Sequence, residues 1–175
     1  MVFELQPTLR GSLITLRPLE GADHGALFDV AADPFIWGLH PDRERYTEAR
    51  FRFFFEGAMK SGGAFLVIAG AVIGSSRYLA LDESRSEVEI GFTFLARSKW
   101  GGQYNAEMKR LMLDHAFRFA NRVVFLVGPE NWRSRRAVEK IGGTIVGRHT
   151  TIAGKDAVVY EISKRQYCAA REEKA

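Results

Sequence analysis

The stretch that most constrains this chain is Val123–Val127 (VVFLV), five apolar residues in a row between Arg122 and Gly128. A strand that is apolar on both faces has to be covered on both, so it belongs in the middle of a sheet with helices packed against it. Helical patterns flank it in the sequence. Upstream, Tyr104, Met108, Leu111, Met112, His115 and Phe119 fall along one side of a helix. Downstream, Asn131 can cap a helix running to about Ile141, closed by Gly142 and Gly143.

The remaining pattern fits around that centre. Ser12–Arg17 alternates as a strand that Pro18 ends, and Ala22–Ala31 reads as a short helix. Thr47 is placed to cap a second helix, because Phe51, Phe54, Phe55, Ala58 and Met59 form one apolar stripe before Ser61-Gly62-Gly63 stops it. Phe65–Ala69 and Val72–Leu81 read as strands turned at Gly70. Glu87–Leu95 (EVEIGFTFL) follows, with Val88, Ile90, Phe92 and Phe94 expected on one face. Thr144–His149 and Ala157–Ile162 close the order β-α-α-β-β-β-α-β-α-β-β. That is a mixed α/β (α+β) sheet, antiparallel hairpins first and one strand–helix–strand crossover in the middle. A single domain over 1–175 is expected, its core at about 9–162, with a fraying tail at about 166–175.

Composition sets the outer limits. At 175 residues and 46% hydrophobic, the chain can bury one sizeable core. No apolar run reaches the length of a membrane span, and the start lacks the basic-then-apolar order of a leader, so a cytoplasmic protein away from membranes is expected. The one cysteine, Cys168, can form no internal disulfide and reads as an incidental thiol in a reducing compartment. The formal charge of +4 is uneven, with Arg133, Arg135 and Arg136 in one cluster and Arg97, Lys99, Lys109 and Arg110 in another. Such patches suit a phosphate-bearing ligand or a solvated face. A nucleic-acid surface is not expected, because no aromatics are interleaved on a basic stripe. No metal-ligand spacing occurs.

Lys99–Lys109 (KWGGQYNAEMK) joins a strand to the helix through two glycines. Helix N-termini bind anions, and glycine lets a backbone come close to one, although a Gly-Gly pair also simply turns a corner.

Four stretches together resemble the GNAT N-acetyltransferase superfamily: LITLRPLEGADHGAL, GAVIGSSRYL, EIGFTFL followed by WGGQYNAEMKRLMLDHAF, and NWRSRRAVEKIGG. The resemblance spans roughly Leu9–Ile162, and the ribosomal-protein-alanine N-acetyltransferases look like the nearest branch. It implies the GNAT acyl-CoA N-acyltransferase fold, a mostly antiparallel sheet splayed between its fourth and fifth strands. It also implies acetyl-CoA as co-substrate, an amine acceptor and no metal, and it admits a homodimer. By resemblance, Trp100, Gly101, Gly102, Gln103, Tyr104, Asn105 and Ala106 wrap the pyrophosphate, and the main chain of Thr93, Phe94 and Leu95 holds the pantetheine arm. Gln103 departs from the family pattern, standing where the central loop glycine falls. Asn131 matches a residue that holds pantetheine and a water, Ser134 is the candidate proton donor to sulfur, and Arg136, with Arg133 and Arg135, is set for the 3′-phosphate. The helix position of many relatives' acidic Tyr is Val138 here.

For a base, Glu87 and Glu89 lie opposite Val88 and Ile90, and Glu89 is the better placed. His115 reads as a packed core histidine. The acceptor pocket is expected around Trp37, His40, Arg77 and Tyr78, with Phe35 beside them. Two readings stay open: acetyl transfer to a protein N-terminal or small-molecule amine in a ternary complex, or a non-catalytic module that holds acyl-CoA.

Overall fold

Gly70, at φ 72°, makes the tight turn that folds Ala64–Ala69 (β3) back on Ala71–Asp82 (β4), and the sheet grows outward from this hairpin. The structure is a computed structural model that describes residues 3–150 and 154–172. Before the hairpin come Leu9–Arg10 (β1), Thr15–Pro18 (β2), His24–Ala31 (α1) and Glu48–Ser61 (α2). After it come Glu87–Leu95 (β5), Gln103–Ala116 (α3), Arg122–Val127 (β6) and Trp132–Lys140 (α4). Thr144–Thr150 (β7), Asp156–Ser163 (β8) and Lys164–Glu172 (α5) complete the chain. The described strands form one sheet in the order β1-β2-β3-β4-β5-β6-β8-β7. Every neighbouring pair is antiparallel except β5 and β6, which run parallel across the α3 crossover.

The predicted mixed sheet is therefore the one that forms, and its two faces carry two cores. On one, Leu16, Phe65, Val67, Tyr78, Val88, Ile90, Val123 and Phe125 pack with Met108, Met112 and Leu113 of α3. On the other, Leu66 and Phe94 pack with Leu27 of α1, Phe51, Phe54 and Phe55 of α2, and Trp37. As the apolar run of β6 requires, Val123, Val124, Phe125 and Val127 are all buried.

Four local readings are corrected. The strand expected over Ser12–Arg17 is β2 and begins at Thr15, because residues 11–14 form a turn held by Glu107 of α3. Its Oε1 accepts from Ser12 N (2.9 Å) and Ser12 Oγ (2.7 Å), and its Oε2 from Leu13 N (2.8 Å) and Ile14 N (2.9 Å). Gly11 is required there, since a Cβ would fall 2.4 Å from that carboxylate. Thr47 does stand at the N-cap of α2, but its hydroxyl donates to Glu44 O at 2.9 Å instead of accepting from the helix. The tail expected to fray is helical over Lys164–Glu172, and its last residues, 173–175, lie outside the described residues. Tyr167 packs on Phe117 with ring centroids 5.1 Å apart and donates to Asp114 Oδ1 at 2.8 Å, and Arg171 pairs with the same carboxylate.

The fourth correction matters most for the site. Strict alternation puts Val88, Ile90, Phe92 and Phe94 on one face, yet Phe94 lies in the α2-side core while Val88 and Ile90 lie in the α3-side core. Between them Phe92 has φ 50° and is 44% exposed. A β-bulge at this point adds one residue to β5 and inverts the facing of everything after it.

Candidate active site

The bulge is visible in the register. Gly91 stands across from Arg77 and Phe94 across from Ser75, so Phe92 and Thr93 together oppose Ser76. Left-handed backbone is uncommon for an aromatic residue and needs support from its surroundings. Lys109 of α3 supplies it. Its Nζ donates to Thr93 Oγ1 at 2.6 Å and to Ser76 Oγ at 3.3 Å, and the two hydroxyls are 2.7 Å apart. The ammonium is buried 5.6 Å from the centroid of Phe125 on β6, and burial pulls its pKa down to about 7.

After Glu89, β5 has no strand partner on its other edge among the described residues. β5 and β6 pair only through Glu87–Arg122, Val88–Val123 and Glu89–Val124, and the ladder stops there. Ile90–Leu95 and Phe125–Val127 then flank an open gap, the predicted splay. A strand edge with free N–H and C=O groups can pair with an extended ligand.

The gap leads to the glycine junction. After a short turn at Arg97–Lys99, the Trp100 indole N–H donates to Leu95 O at 2.9 Å. Gly101 has φ 68°, the left-handed conformation that favours glycine, and Gly102 precedes the first turn of α3 with no side chain capping it. The first N–H groups of α3 are thus left for water or an anion. Gly101, Gly102, Gln103 and Ala106 are exposed, and Tyr104 and Asn105 are half-buried. Gln103 is the first helical residue, and its side chain makes no hydrogen bond among the described residues. Arg133 of α4 stacks on Trp100 (3.9 Å to the ring) and donates to Ile36 O at 2.7 Å, tying this loop to the one after α1.

On α4, Asn131 is buried and its Oδ1 accepts from Ser134 N at 3.3 Å, the expected cap. Ser134 is half-buried, and its hydroxyl makes no hydrogen bond among the described residues. Val138 is core, closed over by Gly143. The basic patch read from sequence breaks up. Arg133 is used as above, Arg135 donates to Tyr160 Oη (2.9 Å) and Pro129 O (3.0 Å), and Lys109 is inside. Arg136 remains exposed.

The α2 face of β4 and β5 holds the charged groups. Glu89 precedes the bulge and faces this side. Its Oε1 lies 3.0 Å from where a Cβ of Gly91 would stand, and Gly91 opposes Arg77. Burial raises the Glu89 pKa, and the Arg77 charge partly opposes that rise. Arg45, from the loop before α2, completes the group. Its guanidinium lies 5.0 Å from Trp37 and 4.9 Å from Phe54. His40 is half-buried beside it, Nε2 3.5 Å from Arg45 Nη1, and its Nδ1 accepts from Asp42 N at 2.9 Å. Burial first, and the Arg45 charge second, lower the His40 pKa to about 4, so it is neutral at physiological pH. His40 also lines a cavity of about 350 Å³ with Leu39, Pro41, Gly128, Pro129 and Lys155.

Of the predicted pocket residues, His40 and Arg77 belong to this arrangement and Trp37 is its floor, fully buried with Nε1 donating to Ala31 O at 2.7 Å. Tyr78 does not belong. Strand alternation turns it into the α3-side core, where its hydroxyl donates to Met112 O at 2.5 Å. Phe35 is exposed and stacks on Arg97 at 4.7 Å. Arg45, Phe92 and Lys109 were not expected. Arg45 lies in a polar run (PDRERY) that reads as solvated loop, whereas Lys109 sits three and seven residues before Met112 and Ala116, a spacing that does mark an inward-facing position.

Known proteins share this architecture. A T. thermophilus protein described as an acetyltransferase is 29% identical, with a TM-score of 0.76 covering 95% of each chain. Mycobacterium smegmatis RimJ, solved with CoA-disulfide, matches at 19% identity and TM-score 0.71, over 92% of this chain and 88% of that one. Spermidine N-acetyltransferase from Vibrio cholerae, solved with CoA and spermine, matches at 18% and 0.68, over 90% and 99%. No curated protein matches. The acetyltransferase (GNAT) domain family matches residues 14–144, a span that holds the splay, the glycine junction and the α4 cap, and this chain belongs to that family.

Proposed function

We propose that the chain is an acetyl-CoA-dependent N-acetyltransferase, moving acetyl directly to the primary amine of a protein N-terminus or a small molecule in a ternary complex. The gap between β5 and β6, opening onto the uncapped N-terminus of α3, carries this reading. Its two parts suit two successive parts of acetyl-CoA: a strand edge for the amide-bearing arm and backbone N–H groups for the pyrophosphate. The CoA-disulfide bound to RimJ and the CoA bound to the Vibrio cholerae enzyme support the assignment. Main chain at Thr93 and Phe94 would hold the arm. Leu95 remains in this set: the Trp100 indole N–H occupies one lone pair of its carbonyl, and its N–H is a separate donor. Trp100–Ala106 would surround the phosphates, and exposed Arg136 would reach the 3′-phosphate.

Acetyl-CoA supplies an activated acyl group: the new C–N bond forms as the C–S bond breaks, giving an amide and a free thiol. Glu89 takes the proton that the attacking ammonium must lose, and its raised pKa suits a base working near neutrality. Backbone N–H groups of the splayed strand around Leu95 would face developing negative charge on the carbonyl oxygen. Ser134 returns a proton to sulfur, with Asn131 fixing the first turn on which that hydroxyl stands.

Acetyl-CoA and CoA are expected to raise the melting temperature with concentration, about 2.7 kcal/mol of stabilisation at a hundredfold excess over Kd. Thiol should appear when amines are added. An unmoved melting curve removes the cofactor assignment; a shift without thiol from any amine leaves a binding module, the reading that Val138 in place of an acid would favour. Gln103→Gly is expected to change the acetyl-CoA Kd less than about threefold, under about 0.7 kcal/mol, because the side chain points to solvent and Gly101 makes the turn. A tenfold tightening would mean that Gln103 occupies phosphate space.

A further inference from the structure

Two guanidinium groups share one aromatic nest on the α2 face with little anionic charge to balance them. Arg77 is 4% exposed, and its one hydrogen bond runs from Nη2 to Phe54 O at 3.4 Å. Among the described residues it makes no salt bridge, and its buried Nε has no partner. Arg45 is 8% exposed with its Nε likewise unpartnered, and its Nη2 reaches Asp42 at 3.4 Å. Both cations lie over the same rings: Arg45 at 4.9 Å and 6.0 Å from Phe54 and Phe92, Arg77 at 5.4 Å and 4.3 Å. Ring faces offset only part of the desolvation cost of two neighbouring cations. Glu89 acts on Arg77 through space, without contact, and its carboxylate lies toward Gly91.

We propose that the acceptor carries a carboxylate close to its amine, and that Arg77 and Arg45 take the carboxylate while the amine faces Glu89. The inference rests on the transferase reading above. Guanidinium donors in a fixed fork match a carboxylate, and the two buried Nε–H groups are among the donors left over. Phe92, 44% exposed at the bulge, has its ring 4.3 Å from the Arg77 guanidinium, so a ligand approaching from this side would have to displace it. A polyamine is the wrong charge here, because its ammonium groups would meet two desolvated cations.

The test compares acceptors in matched pairs, following thiol release with saturating acetyl-CoA. One pair is an α-amino acid and its α-carboxamide. The other is a dipeptide amide with Asp or Glu second and its Asn or Gln counterpart; spermidine is the polycation. At least a tenfold advantage in kcat/KM for the acid is expected in one pair, and which pair shows it separates a free amino acid from an acidic peptide. In Arg77→Met and Arg45→Gln that ratio should fall to near one. Arg77→Met should melt no lower than wild type, because it removes an unpaired buried charge. Equal use of acid and amide, or preference for spermidine, overturns the carboxylate inference while the transferase reading stands. No thiol from any acceptor, with the CoA melting shift retained, overturns both. A lowered melting temperature with the acid preference retained makes Arg77 scaffold and overturns its role.

Discussion

Glu89→Gln should lower kcat by about 10²–10⁴-fold, the usual contribution of a positioned base, while leaving the acetyl-CoA Kd in place. Gln keeps the shape over Gly91 and removes only the capacity to take a proton. The wild-type rate should also fall as pH drops through the Glu89 pKa, which burial raises above the ordinary carboxylate value. The variant should lack that acidic limb. Stopped-flow thiol release across pH measures both effects. An unchanged kcat in the variant would leave the attacking amine deprotonated by solvent and Glu89 a neighbour of Arg77 only.

Lys109→Met should stabilise the fold below neutral pH and change how stability depends on pH. Burial lowers the folded-state pKa of Lys109 to about 7, against an unfolded value of about 10.4. Below 7 both states hold the proton, and the full cost of an enclosed ammonium is present. Between about 7 and 10 the unfolded chain holds the proton and the folded chain does not. Wild-type stability therefore rises with pH in that window, by up to about 1.4 kcal/mol per pH unit from this group. Denaturant titrations at pH 6, 8 and 9.5 should show the variant's advantage shrinking as pH rises. Losing the bonds to Thr93 and Ser76 costs about 1 kcal/mol each, lowering the whole curve without restoring its slope. Parallel curves for the two proteins would mean that Lys109 keeps its proton throughout.

The sequence showed the sheet and the junction because these rest on local signals. The apolar run of β6 demands cover on two faces, and the pattern from Lys99 to Lys109 is a strand end, a turn and a helix start in consecutive residues. The Asn131 cap and the packed His115, which contacts Glu4 O at 2.8 Å, were legible for the same reason. What was hidden depends on partners distant in sequence. Nothing in EVEIGFTFL announces a left-handed Phe92, because the bulge is held by Lys109 and Ser76. The parity of Phe94 was lost with it. Tyr78 was misplaced by the opposite error: its neighbour Arg77 faces the charged side, and adjacent strand residues cannot share a face. Glu107 gathers backbone donors from a turn more than ninety residues earlier, a contact that exists only after folding.

The C-terminal helix gives the chain a ready-made spectroscopic handle. Cys168 is exposed on α5, and it is the chain's one thiol, so a maleimide dye would attach at a single position without mutagenesis. Tyr167 and Arg171 hold α5 against Asp114, near the end of α3 farthest from the glycine junction. Fourteen residues of helix put the two ends of α3 roughly 20 Å apart, and with Trp37 and Trp132 replaced by Phe, Trp100 would be the single indole donor to such a dye. Occupancy of the junction could then be followed as a change in indole emission, in real time and with no chemistry taking place.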